Sequence, residues 1–211
     1  MSSVHVSNMV GKLEGFKAIS TNTVTNDFCI KQNSSNGKAN NICKICYSHG
    51  MLKSYRKNMQ PSLQRNSDLL SSRPLEKHEL PTFLDAFLRI NAHGELINLQ
   101  HFENICAIAE HNPHCNVALW TKRRDIVAKY YKQYGKFPAN LILVWSNSEI
   151  DKIKTVPPLF HKVFNNVSHD KFVEQQNCTG QKCKDCLACY KFDGANVIVE
   201  ATKLNGRVRK G

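Results

Sequence analysis

No run of about 18 apolar residues occurs in this sequence, so nothing in it is built to span a bilayer as a helix. The opening stretch MSSVHVSNMVGKLEG lacks the basic-then-apolar order of a secretory signal, and a cytoplasmic location is the expectation. No Gly-rich phosphate loop and no Ser/His/Asp order is present, which leaves kinase and triad-hydrolase chemistry without a signature. Internal repeats and low-complexity tracts are also missing. Acid is scarce at one end: residues 1–65 carry nine Lys/Arg against only Glu14 and Asp27. Cysteine is not scarce, but its number is odd. Nine thiols fit a closed disulfide framework poorly, and in a reducing cytosol clustered cysteines more often hold metal.

What is present suits one domain of α/β size, or a compact domain with a small appendage: 211 residues, 41% of them hydrophobic. The net charge of +12 is uneven, with the N-terminal surplus matched by a basic tail, TKLNGRVRKG. Such asymmetry fits a polyanionic partner, most simply nucleic acid, met by the basic helix of residues 51–72 and by the tail. Solubility alone is the plainer alternative. The stretch LKSYRKN (52–58) is the best phosphate-contact candidate. WTKRR and YKQYGKF also mix aromatics with cations, as single-strand binders do. Tyr130, Tyr131 and Tyr134, at helical spacing, read more simply as half-buried core.

The chain opens with a strand-like FKAISTNTVT, followed by an Asn/Ser/Gly-rich loop and a basic helix interrupted near Pro61. From residue 86 strands and helices alternate. AFLRINA, CNVALWT, NLILVWSN, KVFNNVS and ANVIVEAT read as strands. NLQHFENICAIAEHN reads as an amphipathic helix with Phe102, Ile105 and Ala109 on one face, and RRDIVAKYYKQYG as a helix ended by Gly135. Strands separated by helices of this length imply βαβ units and a parallel sheet.

Two cysteine groups carry the chemistry. The C-terminal one, in NCTGQKCKDCLACYKF, runs C-x4-C-x2-C-x2-C through Cys178, Cys183, Cys186 and Cys189. Zinc sites usually present two separated C-x2-C knuckles, whereas consecutive steps resemble the ferredoxin run in which one loop wraps a cluster. Iron–sulfur is preferred and zinc stays open. Four thiolates close a shell, so this segment is read as anchoring or electron-relaying. The N-terminal group is Cys29, Cys43 and Cys46. Three thiolates leave a four-iron cluster with one open iron, as catalysis requires, unless another thiolate closes the site or Cys43 and Cys46 join the C-terminal group. Cys106 on an apolar helix face and Cys115 at a strand start read as core. His111 and His114 flank a helix-ending NP and read as cap residues. His93 is read either as an acid/base or ligand at a strand end, or as a turn residue.

The order of cysteine loop, basic helix and strand–turn–helix resembles the radical S-adenosylmethionine (SAM) fold, a partial (β/α) barrel. CKICY at 43–47 is similar to the end of that superfamily's three-cysteine motif, and LRINAHGELIN resembles the strand and Gly-Gly-Glu turn that binds the SAM amino group. The resemblance implies that Glu95 meets SAM while Gly94 lets the backbone approach. It also puts Thr121, Ser146 and Asn147 on the same rim, with Ser146 among the cofactor-binding residues. The Cys29–Cys43 gap is longer than the superfamily's commonest one, and His93 stands where its first glycine would be. Over nearly the whole chain the sequence is similar to a phage family, gene product 88, in the ordered pieces KAISTNTVTNDFC, CKICY, FLRINAHGEL, EHNPHCNVALWTK and CKDCLACYKFDGANVIVEA. That resemblance implies a metal-bearing α/β protein of a phage or mobile element, in the host cytoplasm, and implies no particular activity. The resulting expectation is a mainly parallel α/β partial barrel over residues 1–176, including the cysteine loop. Residues 177–211 follow as a metal-binding segment, final strand and basic tail. It carries one or two 4Fe-4S clusters, with SAM as cofactor and zinc as the alternative. Its substrate would be a nucleic acid or phosphorylated compound, or else the protein is a non-catalytic module binding nucleic acid or a host protein.

Overall fold

A computed structural model describes residues 3–34, 40–168 and 174–202. The C-terminal basic tail, one of the two expected nucleic-acid contacts, lies outside the described residues beyond Thr202. In chain order the strands are β1 (Ser7–Asn8), β2 (Lys17–Ile19), β3 (Phe87–Ile90), β4 (Asn116–Thr121), β5 (Leu141–Ser146), β6 (Lys162–Ser168) and β7 (Val197–Thr202). The helices are α1 (Asp27–Asn33), α2 (Tyr47–Lys53), α3 (Gln60–Ser72), α4 (Leu99–His111), α5 (Arg124–Tyr134) and a single turn, α6 (Cys183–Cys186). None of them is long and apolar enough to cross a membrane.

All seven strands form one sheet in sequence order, β1 antiparallel to β2 and the rest parallel. This is the α/β class expected, with β1 and β7 as its edges. Parallel neighbours need crossovers, and a constant hand of crossover in a sequentially ordered sheet puts the connecting helices on one face. The period of two along each strand shows it. Val117, Leu119, Leu141 and Leu143 join Leu69, Leu70, Phe102, Ile105, Ile108, Ile126 and Val127 in one core with α3, α4 and α5. Ala118, Trp120, Ile142 and Val144 point the other way and pack with Phe16 and Tyr190. Both faces are covered, so NVALW and LILVW are nearly unbroken apolar runs.

Cys106 and Cys115 are core residues, as read from the sequence. Gly135 ends α5 with φ +70. Three local expectations change. Pro61 opens α3 rather than interrupting a helix, because proline at the first turn lacks only an N–H that has no partner there anyway. The first strand stops at Ile19, since Thr21 N–H donates to the His93 carbonyl and Asn22 N–H to Ser67 Oγ, which turns the chain away. The β5–β6 connection contains no helix. Asn147 and Asn165 hold it instead, through bonds to the Lys152 carbonyl (2.7 Å) and to both Lys154 backbone groups.

Candidate functional site

The C-terminal ends of parallel strands lie on one side of a sheet, where loops gather side chains from distant parts of the sequence. Here a cavity of about 650 Å³ opens there, lined from the strand ends, the loop of Cys29–Cys46 and the segment of Cys178–Tyr190. Of the seven cysteines singled out as ligands, Cys29, Cys43, Cys46, Cys178, Cys183 and Cys189 line this one cavity. Cys186 faces outward and receives the Gln181 side-chain amide at 3.6 Å. The two groups, more than 130 positions apart in sequence, share one space.

Asparagine caps shape the N-terminal group. Asn26 Oδ1 accepts from the Phe28 and Cys29 N–H groups and starts α1, while its Nδ2 donates to the Glu95 carbonyl at 3.1 Å. Asn41 Oδ1 likewise accepts from Cys43 N–H at 2.9 Å and starts a 3-10 turn, Ile42–Ile45. Asn33 Nδ2 donates to the Cys43 carbonyl at 2.7 Å, closing the loop on itself. Ile42 N–H donates to the Ser148 carbonyl, so the loop is also tied to the β5–β6 connection. Burial first, then Glu95, Cys46 and Cys43, push the Cys29 thiol well above its ordinary pKa, against the pull of Lys122. Burial raises Cys43 as well, again opposed by Lys122.

Gly94 and Glu95 stand where the sequence placed them, at the turn after β3. Gly94 has φ +93 and lies so close to Thr21 that a Cβ would sit 2.6 Å from the Thr21 carbonyl oxygen. Glu95 is 4% exposed, and its carboxylate is occupied largely by the chain itself. Oε1 accepts from Leu96 N–H at 2.8 Å and from the Thr121 hydroxyl, and Oε2 from Lys122 N–H at 2.7 Å. One acceptor position on Oε2 remains. Burial raises the Glu95 pKa, while Lys122, Thr121 and these N–H groups act to lower it. Ser146, at the end of β5, accepts from the Lys122 ammonium at 2.7 Å. Thr121 is thus a buried partner of Glu95, and Asn147 serves the β5–β6 connection rather than the cavity.

His93 lines the cavity and pairs through Nδ1 with Ser48 Oγ at 3.0 Å. Burial, with Arg89 and Arg56 adding to it, lowers its pKa to about 4, so it is neutral at pH 7 and acts there as a hydrogen-bonding imidazole rather than as a cation. The cap of α4 is Asn112, whose Nδ2 donates to the Ile108 carbonyl, while His111 and His114, expected as cap residues, tie the helix end to Thr82 and to the Phe83 carbonyl.

The gene product 88 family model matches residues 18–169. The chain belongs to the gene product 88 family. The matched stretch takes in Cys29, Cys43, Cys46, the Gly94–Glu95 turn and the strands from β2, less its first residue, through β6, and it ends before Cys178. No curated protein and no solved structure matches the chain.

In this gene product 88 chain the second cysteine group closes the inner face of the family frame. Tyr190 packs on Phe16 with ring centroids 4.3 Å apart and on Trp120 at 5.5 Å, and the Asn116 side-chain amide donates to its carbonyl at 3.1 Å. Cys178 receives the Lys12 ammonium at 3.0 Å, and Lys12 also pairs with Glu200 on β7. Burial pushes Cys189 up to about 12, against the pull of Arg89 and with Cys178, Cys183 and Cys186 adding to it. The four thiols therefore lie within electrostatic reach of one another. Among the described residues no three His, Cys, Asp or Glu side chains are drawn close enough together to hold an ion. The donor set itself, soft thiols half-buried around one space, fits zinc or an iron–sulfur cluster, and metal would have to displace protons that burial favours.

Lys12, Arg89, Trp120, Lys122, Tyr190 and Glu200 also line the cavity; the sequence analysis singles out Trp120 and Lys122 only as part of WTKRR, a nucleic-acid contact candidate, and the other four not at all. A signal existed for two of them. Arg89 is a charge inside the otherwise apolar FLRI, and Lys122 directly follows an apolar strand in LWTK.

Proposed function

We propose that this chain is an iron–sulfur protein resembling radical SAM enzymes, located in the cytoplasm, with its sheet curled as a partial (β/α) barrel. The observation that carries the reading is the convergence of Cys29, Cys43 and Cys46 with the Gly94–Glu95 turn on one cavity at the strand ends. Sequential parallel strands backed by helices on one face support the barrel, because that arrangement is what a (β/α) barrel is wound from. A four-iron cluster on these three thiolates, when bound, supplies an electron for the reductive cleavage of SAM. The chain's own residues do the rest. Asn26 and Asn41 hold the cysteine loop, Lys122 offsets the negative charge of the thiolates, and Glu95 Oε2 offers its remaining acceptor position to an amino group. Cys178, Cys183, Cys186 and Cys189 would hold a second centre on the other wall.

A second reading rests on the surface. Residues 53–58, SYRKN with Lys53 before it, are all exposed, and the exposed Tyr47 links them to the cavity mouth. That stretch favours a nucleic acid or a phosphorylated compound as substrate. In a non-catalytic protein whose cysteines hold zinc, the same stretch would serve as the nucleic-acid contact.

Anaerobic purification with iron, sulfide and zinc analysis separates the two. Iron and sulfide, a broad absorbance near about 400 nm, and SAM cleavage on reduction are expected. A colourless protein with stoichiometric zinc ends the first reading. A brown protein that leaves SAM intact when reduced keeps the cluster and removes the radical chemistry.

A further inference from the structure

Four buried polar atoms on residues that line this cavity have no hydrogen-bond partner among the described residues: Thr23 Oγ1, Arg89 Nε, Tyr190 Oη and Asn91 Oδ1, of which the last three bear on one ligand. Such atoms are rare in folded proteins, because leaving one unmade costs roughly 1–3 kcal/mol. Tyr190 is 1% exposed and Asn91 6% exposed, so bulk water does not serve them. Their orientation is fixed by neighbours. Arg89 lies on β3 diagonally across from Trp120 on β4, and its guanidinium carbon sits 3.2 Å from the indole centroid. Asn91, at φ +59 just past β3, donates its Nδ2 to the Trp120 carbonyl at 3.1 Å, which leaves Oδ1 as the unused end. Tyr190 is held by its ring contacts, and its hydroxyl oxygen lies beside the Arg89 guanidinium, which leaves the O–H itself without an acceptor among the described residues.

The charges of the cavity wall are otherwise matched. Lys12 pairs with Glu200, and Lys122 stands against Glu95 and Ser146. Arg89 has no carboxylate partner among the described residues; its stacking on Trp120 leaves the Nε edge unused. Two neighbouring donors without an acceptor, one of them cationic, form the recognition pattern of an oxyanion. We infer that the cavity binds the anionic group of a small ligand, a carboxylate or a phosphate, on the Arg89 Nε edge and the Tyr190 hydroxyl, with Asn91 Oδ1 receiving a donor from the same ligand. This goes beyond the iron–sulfur reading and holds whichever metal the cysteines carry. The competing acceptor is the chain itself, since thiolates of Cys183 and Cys189 lie within reach of the Arg89 charge.

The test uses the full chain as purified, with its metal content measured, at low ionic strength. Inorganic phosphate and acetate are titrated separately by calorimetry, with tryptophan emission as a second readout because Arg89 covers Trp120. Saturable one-site binding of one anion is expected, phosphate pointing to a phosphorylated ligand and acetate to a carboxylic acid. Arg89→Lys should weaken it about tenfold or more, since lysine keeps the charge and loses the planar fork. Tyr190→Phe, which keeps the ring packing, should weaken it several-fold and decides the matter if Arg89→Lys does not fold. Absence of saturable binding by either anion overturns the inference. So does binding that both substitutions leave within a factor of two, which assigns Arg89 to the thiolates. Anion binding in a zinc-loaded or metal-free protein sinks the iron–sulfur reading alone.

Discussion

The Lys122 ammonium donates to Ser146 Oγ across 2.7 Å, bridging the ends of β4 and β5 directly beside the three-cysteine loop. Burial acts to lower its pKa, but Cys43, Glu95, Cys46 and Cys29 outweigh that and hold it above the ordinary value, so it is charged at pH 7. The same charge pulls down the pKa of Cys29 and Cys43. Lys122→Met should therefore slow the modification of these thiols by a disulfide reagent at fixed pH, by about tenfold for each unit of pKa gained. Equal rates in the two proteins would mean that Lys122 exerts no field on the loop.

Gly94 faces Thr21 with no room for a methyl group, and its φ of +93 is a region that side chains avoid. Gly94→Ala combines strain with a clash against backbone, which does not yield as a side-chain tip does. A loss of about 2–4 kcal/mol is expected in denaturant unfolding. Full stability would show that Thr21 and the turn can separate without cost.

His93 makes stability depend on pH in a definite direction. In the folded protein it titrates at about 4, against an ordinary 6.5, because of burial first and then Arg89 and Arg56. A base with a depressed folded pKa contributes fully above 6.5, and the contribution is lost as pH falls toward 4. The swing is on the order of 3 kcal/mol. Melting temperatures between pH 7.5 and 4 should fall more steeply for the native chain than for His93→Gln, with parallel curves counting against the assignment.

Tyr190 separates packing from hydrogen bonding. Tyr190→Ala empties the space between Phe16, Phe87 and Trp120 and should cost about 3–5 kcal/mol. Tyr190→Phe removes a buried hydroxyl whose O–H has no acceptor among the described residues, at the cost of its contact with Arg89, and should be close to neutral in thermal unfolding. A clear destabilisation by Phe would reveal that the hydroxyl is satisfied.

The parts legible in the sequence were those governed by short-range period and caps. The 3.6-residue spacing of Phe102, Ile105 and Ala109 and the apolar runs of β4 and β5 mark their elements because both faces of the sheet are buried. The chemistry of the thiols and of the Gly94–Glu95 turn was legible from residue type and spacing. Their meeting was not, because Lys12 and Cys178 touch across 166 positions and no local pattern records such a contact. Thr121 was read as a rim residue, yet the pleat turns it inward onto Glu95. Lys122, in a basic run that reads as a nucleic-acid contact, also reaches inward. Asn147 ends a strand as expected, yet its amide is spent on the loop that replaces a crossover helix.

The face of the sheet formed by Ala118, Trp120, Ile142 and Val144 is covered in part by Tyr190, which follows all of them in the chain. Until Tyr190 leaves the ribosome, Trp120, Ile142 and Val144 have helices behind them and only the segment around Phe16 in front. The nascent chain therefore carries a partly open apolar surface from the synthesis of β4 and β5 until that of Tyr190, a period in which such surfaces recruit chaperones or one another. Folding of the nascent chain is accordingly sensitive to whatever delays the docking of Tyr190 onto that face.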